Sequence, residues 1–230
     1  MKNYLIICGA LFVITGVPVW AEEVNTDKAK LETLDFDARH KACLEQIAQD
    51  EELALEEAMI WQSQGGGRRA RHCVAMALSA SGHPDEGALR LEKLAKAPDG
   101  GSPPMRAGFY VEAADLWLEA QQPRKAIETA TVGLKIAAAH IDLYIVRARA
   151  YAALERWDFA ETDLSSALAY VPDDPRALRY RADARLQKGK LDLAQADIHK
   201  AVALDGENID ILLVRGKIIE AIRLETLKTK

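Results

Sequence analysis

Aromatic residues make up only 6% of this 230-residue chain, glycine and proline number 14 and 8, and cysteine occurs three times. Beside that thin supply stand abundant Ala, Leu, Glu, Arg and Lys, which lose little side-chain freedom in a helix and so favour one. Surplus positive charge is also missing: the formal net charge is −5, and no long basic stripe accumulates. Phosphate neutralisation needs clustered Lys and Arg, so nucleic acid is not an expected partner. The signatures of catalysis are missing too. Gly65-Gly66-Gly67 runs into Arg68 and Arg69 rather than Gly-Lys-Ser/Thr, and no strand leads into it. Ser79, Ser81, His83 and Asp85 span a helix end and a turn, without a nucleophile elbow. With no paired carboxylates either, an enzyme is not expected, and no cofactor is implied.

Only one long hydrophobic run is present, and it lies at the N-terminus. Lys2 supplies a positive charge, Tyr4 to Val17 form an apolar stretch, and Val19-Trp20-Ala21 resembles a small-x-small cleavage site. The stretch falls short of the roughly 20 residues needed to span a bilayer, which favours a signal peptide over a retained anchor. The expected cut follows Ala21, leaving a periplasmic or secreted chain with no stable membrane insertion. Cys8 would leave with the signal, and Cys43 and Cys73 would remain in an oxidising compartment.

What the chain does have is a period of 34. Tyr144-x-x-Arg147-Ala148-x-x-Tyr151, then Trp157, Ala160, Leu164, Ala167 and Pro172, recurs one period later as Leu178, Arg181, Ala182, Leu191, Ala194, Ile198 and Ala201. A further shift gives Leu212, Arg215, Gly216 and Ile219. A backward shift gives Tyr110, Ala113, Ala114, Trp117 and Ala126. Within each unit apolar residues recur at three- and four-residue spacing, the mark of two amphipathic helices. One such unit cannot bury its own apolar face, so neighbours must stack.

These residues resemble the tetratricopeptide-repeat (TPR) motif. The resemblance covers about residues 35–230 and implies an all-α, right-handed superhelical solenoid of stacked antiparallel helix pairs. Units begin near 35, 69, 107, 141 and 175, giving five helix pairs, and a capping helix follows over 209–228. The interval between the second and third units exceeds the period by four residues, absorbed in the turn-rich stretch 98–104. Residues 22–34 are polar and charged, a disordered leader or a short capping helix. Asp174-Pro175 reads as an N-cap with proline at the first helical position, and Gly82 and Gly189 mark turns within units. Trp61, Trp117 and Trp157 occupy packing positions. Arg147, Arg181 and Arg215 share one repeat position, where structural salt bridging is expected.

The resemblance also implies a use. TPR proteins bind peptides or partner helices on the concave face of their first helices. Here that face carries Val111, Asp115, Leu118 and Glu119, then Asp142, Ile145 and Arg149, then Arg176, Arg179, Asp183 and Gln187, with Lys217 on the last helix. Arg149, Arg176 and Arg179 suit a partner carboxylate. Equally, the charges pair among themselves, as Arg179 would with Asp183 four residues on. The repeat frame puts Cys43 and Cys73 on neighbouring first helices, where a disulfide fits. The alternative, a zinc site completed by His40 and His72, needs His72 to point about 100° around its helix from Cys73. The function expected is an exported module that binds a protein partner, in envelope assembly or the maturation of exported proteins. The rival is a structural or self-associating subunit that uses its convex face or its ends.

Overall fold

The computed structural model describes residues 35–228, so the signal-peptide and leader assignments lie outside the described residues. Residues 1–39 and 40–230 cluster as separate units, and the second holds the repeats. Among the described residues there are eleven helices and no strands. A first helix, α1, runs over 35–47. It is followed by α2 (Glu51–Ser63), α3 (Gly67–Ala80), α4 (Pro84–Lys96), α5 (Pro103–Glu119) and α6 (Pro123–Ile136). Then come α7 (Ile141–Ala153), α8 (Trp157–Tyr170), α9 (Pro175–Gln187), α10 (Leu191–Leu204) and α11 (Ile209–Lys228). Among the described residues no helix is long and apolar enough to cross a membrane.

Local chemistry sets the helix ends. Pro84, Pro103, Pro123 and Pro175 open four of the helices, where a missing N–H costs nothing. Asp50 and Asp174 cap α2 and α9 by accepting from the backbone N–H of Leu53 and Ala177, each at 2.9 Å. Inside the last four units, one residue in the left-handed region turns the chain back on itself. Glycine fills that position at Gly82 (φ 84°) and Gly189 (φ 69°). Gln121 and Glu155 fill it in the two intervening units, both at φ 56°, where a Cβ makes the conformation costly.

Each helix packs mainly on the next, giving a solenoid of antiparallel pairs. Alanine permits the close approach: Ala88, Ala95, Ala126, Ala130, Ala160, Ala167, Ala194 and Ala201 are all buried. Bulky side chains fill the space between units, among them Trp117, Tyr110, Leu143, Leu164, Leu178 and Ile198. Trp61 is buried as well, whereas Trp157 is only half-buried at the start of α8. Trp117 keeps its polar edge satisfied, for its Nε1–H donates to Glu92 at 2.9 Å, and Thr129 donates to the same oxygen at 2.6 Å. Burial alone would raise the Glu92 pKa, but the bonds from Thr129, Trp117 and Lys96 outweigh it and lower it.

The shared arginine position behaves differently along the chain. Arg147 on α7 donates through Nε and Nη2 to both oxygens of Asp163 on α8, each at 2.7 Å. Arg181 on α9 grips Asp197 on α10 the same way, at 2.8 Å twice. Arg215 departs from the expectation of a salt bridge: it is exposed and makes none among the described residues. In the other two units the acid lies sixteen residues on, in the following helix, and among the described residues none follows α11.

Candidate partner-binding groove

First helices touch one another directly along the stack, α5 to α7, α7 to α9 and α9 to α11, while α6, α8 and α10 lie farther apart. The closer spacing makes the first-helix layer the inner face. Because the units repeat every 34 residues, equivalent side chains line up in rows across it. One row reads Asp115, Arg149, Asp183, Lys217, and another reads Asp142, Arg176, Asp210. In both, the sign alternates from one unit to the next.

The rows are tied crosswise by ion pairs. Arg149 pairs with Asp115 one unit back, and Arg176 with Asp142 one unit back at 2.9 Å. Arg176 also holds Asp174 at 2.8 Å. Arg179 reaches forward to Asp210 at 3.6 Å and lies over the ring of Tyr180, 3.9 Å from its centroid. The local pair with Asp183 is therefore replaced by one between helices. All three arginines expected to receive a partner carboxylate already hold one of the protein's own. Burial pushes the Asp115 carboxyl above its usual range despite the pull of Arg149.

Other candidates fall into two groups. Ile145 is buried, 5% exposed, and belongs to the core rather than to any open surface. Val111 and Leu118 are half-buried against the core around Trp117. Glu119 is exposed and accepts from the Ser79 hydroxyl at 3.3 Å. The uncommitted polar groups gather toward the C-terminal end. Asp183 has a buried Oδ1 with no hydrogen-bond partner, and Gln187 and Lys217 are exposed without a polar contact among the described residues. Tyr180 and Asp210 were missed by sequence reasoning, which read Asp174 as an N-cap and not as a partner of Arg176. The 34-residue period alone would have found Asp210, one step beyond Arg176.

At the other end, Cys43 on α1 and Cys73 on α3 form a disulfide with Cα atoms 6.4 Å apart. Beside it, His40 and His72 are hydrogen-bonded to each other (Nε2 to Nδ1, 2.9 Å), and His72 Nε2 reaches Glu112 on α5 at 2.8 Å. The imidazoles face one another and a carboxylate, in line rather than around a common centre. Among the described residues no group of three or more His, Cys, Asp or Glu is arranged to hold a metal ion.

The geometry is that of a TPR solenoid, and solved TPR structures share it. TTC0263, a thermophilic TPR protein of Thermus thermophilus, is 20% identical with a TM-score of 0.58, covering 80% of this chain and 98% of its own. MamA is 16% identical at a TM-score of 0.58, covering 70% and 92%. The first TPR domain of human RPAP3 is 25% identical at 0.51, covering 52% and 94%. These likenesses establish the fold. No family model matches the chain, and no curated protein matches it in sequence.

Proposed function

We propose that this protein is an exported adaptor that takes a peptide or helix of a protein partner against the inner face of its first helices, in envelope assembly or the maturation of exported proteins. The observation that carries the reading is the division of labour on that face. Inter-unit pairs (Asp115–Arg149, Asp142–Arg176, Arg179–Asp210) fix its shape, while the exposed Gln187 and Lys217 stay available to a ligand. A surface already ordered loses less side-chain entropy on binding. The export part rests on residues 2–21 of the sequence.

Crosslinking pull-down from the exported fraction tests it. The mature chain is compared with a Gln187→Lys/Lys217→Glu variant, which changes two exposed side chains in no existing pair, with circular dichroism to check that its helices are kept. A partner captured by the native face and lost with the variant supports the adaptor. Equal capture by both removes the inner face from the interaction.

A second reading, a self-associating structural subunit, draws on the apolar side chains that α11 leaves exposed, including Ile209 at 72% and Leu213 at 59%. A mass that rises with concentration, and no partner in the pull-down, would favour it.

A further inference from the structure

The solenoid contains its own record of what covers the outer side of a first helix. At the seventh position of the second to fifth units and of α11 stand Ala75, Ala113, Arg147, Arg181 and Arg215, and sixteen residues beyond the first four stand Leu91, Thr129, Asp163 and Asp197. An arginine on the first helix is thus always met by an aspartate on the helix that covers it. An alanine is met by an uncharged residue. The aspartates sit in one repeated setting: Ala160-x-x-Asp163-Leu164-x-x-Ala167 in α8 and Ala194-x-x-Asp197-Ile198-x-x-Ala201 in α10, with every named side chain buried.

Helix α11 carries the first-helix half of that arrangement. Ile211, Val214 and Ile218 bury it against α9 and α10. Its outer side presents Leu212 (39% exposed), Arg215, Gly216 and Ile219 (51%). Leu178, which corresponds to Leu212 one unit earlier, is 2% exposed. Nothing lies within 4 Å of a Cβ built on Gly216, so the backbone is open to close approach there. Arg215 makes no ion pair among the described residues.

From this we infer that the outer face of α11 is a docking site for an amphipathic helix of a second protein, carrying aspartate between small and aliphatic residues in the order small-x-x-Asp-aliphatic-x-x-small. The incoming helix lies antiparallel to α11, as α10 lies on α9. Its aspartate takes the Arg215 guanidinium through two parallel N–H···O bonds, and its small residues sit over Leu212, Gly216 and Ile219. The site lies on the side of α11 away from Lys217 and the inner face, so it stands whether or not the groove binds anything.

The protein's own α10 supplies the probe. A peptide with the sequence of residues 191–204, lactam-bridged between its exposed positions 192 and 196 to hold it helical, is labelled and titrated with the intact chain by fluorescence anisotropy. Saturable one-to-one binding is expected. Arg215→Asp in the protein should weaken it by on the order of tenfold or more. A peptide carrying Asp197→Arg should bind that variant and not the native chain. Lys135→Glu, an exposed position on α6, should leave binding unchanged. Circular dichroism checks that Arg215→Asp keeps its helices, as the lack of a partner for Arg215 leads one to expect. No saturable binding, or equal binding by the native chain and Arg215→Asp, overturns the proposal. Self-association abolished by Leu212→Glu/Ile219→Glu, without peptide binding, also overturns it and assigns the face to a second copy.

Discussion

Three arginines at one repeat position, two half-buried against a buried aspartate and one bare, form an internal series for measuring what such a pair contributes. In Arg147→Met the partner Asp163, its side chain 7% exposed, is left charged with no cation. Breaking a buried pair from one side costs about 3–5 kcal/mol, and since Arg147 retains 18% exposure, about 2–4 kcal/mol is expected here. Arg181→Met should cost less, because Arg185 also donates to Asp197, at 2.7 Å, and keeps it partly neutralised. Arg215→Met should fall within about 0.5 kcal/mol of the native chain, as for surface sites generally. The double variant Arg147→Met/Asp163→Leu, which removes both charges and fills the space, should recover to within about 1 kcal/mol of native. Urea unfolding followed by helical circular dichroism ranks the four, with slopes compared first because a solenoid can lose end units in steps. Equal losses for Arg147→Met and Arg215→Met would refute the reasoning, as would a double variant no more stable than the single.

Glu161 accepts from Lys188, Lys190 and Arg185, and although burial alone would raise its pKa, those bonds bring it from 4.5 down to about 2. Its lowered pKa makes the stabilisation complete above about pH 4.5 and lost as pH falls toward 2, so Glu161→Gln should flatten that part of an acid-unfolding curve. Reducing Cys43–Cys73, which spans 30 residues, should cost about 3–4 kcal/mol by loop-closure entropy, with faster amide exchange in 40–80 than in α7–α10. Gln121→Gly and Glu155→Gly should each raise the melting temperature, relieving a left-handed side-chain conformation worth about 1 kcal/mol. Gly87→Ala should lower it despite the better helix propensity, because the new Cβ would lie 2.6 Å from the backbone oxygen of Ala75.

The helical class and the stacking of pairs were legible because they rest on spacing. Alanines at fixed intervals announce where backbones approach, and Asp174-Pro175 announces a helix start that the structure shows capped at 2.9 Å. Side-chain partnership was less legible. The period aligns Arg176 with Asp142 but gives no distance, and Arg179 has an acid four residues away in sequence yet turns to Asp210 on another helix. Arg215 defeats the expectation because its setting in sequence matches Arg147 and Arg181, while the pair depends on a helix that is not found after it among the described residues. The left-handed turns at Gln121 and Glu155 were invisible for a simpler reason, since nothing in a glutamine or glutamate signals positive φ. On the inner face, Ile145 shows how a repeat position nominally turned to the groove can be claimed by the core.

The pairs Asp115–Arg149, Asp142–Arg176 and Arg179–Asp210 each span a joint between consecutive units. They therefore act less as local stabilisers than as guy-lines on the pitch of the coil. Bending or unwinding the stack must stretch them, while the apolar contacts within each unit are spared. Being partly exposed, they slacken as salt rises. Ionic strength thus becomes a handle on curvature at constant helicity, visible as a change in the radius of gyration in X-ray scattering with the circular dichroism unmoved.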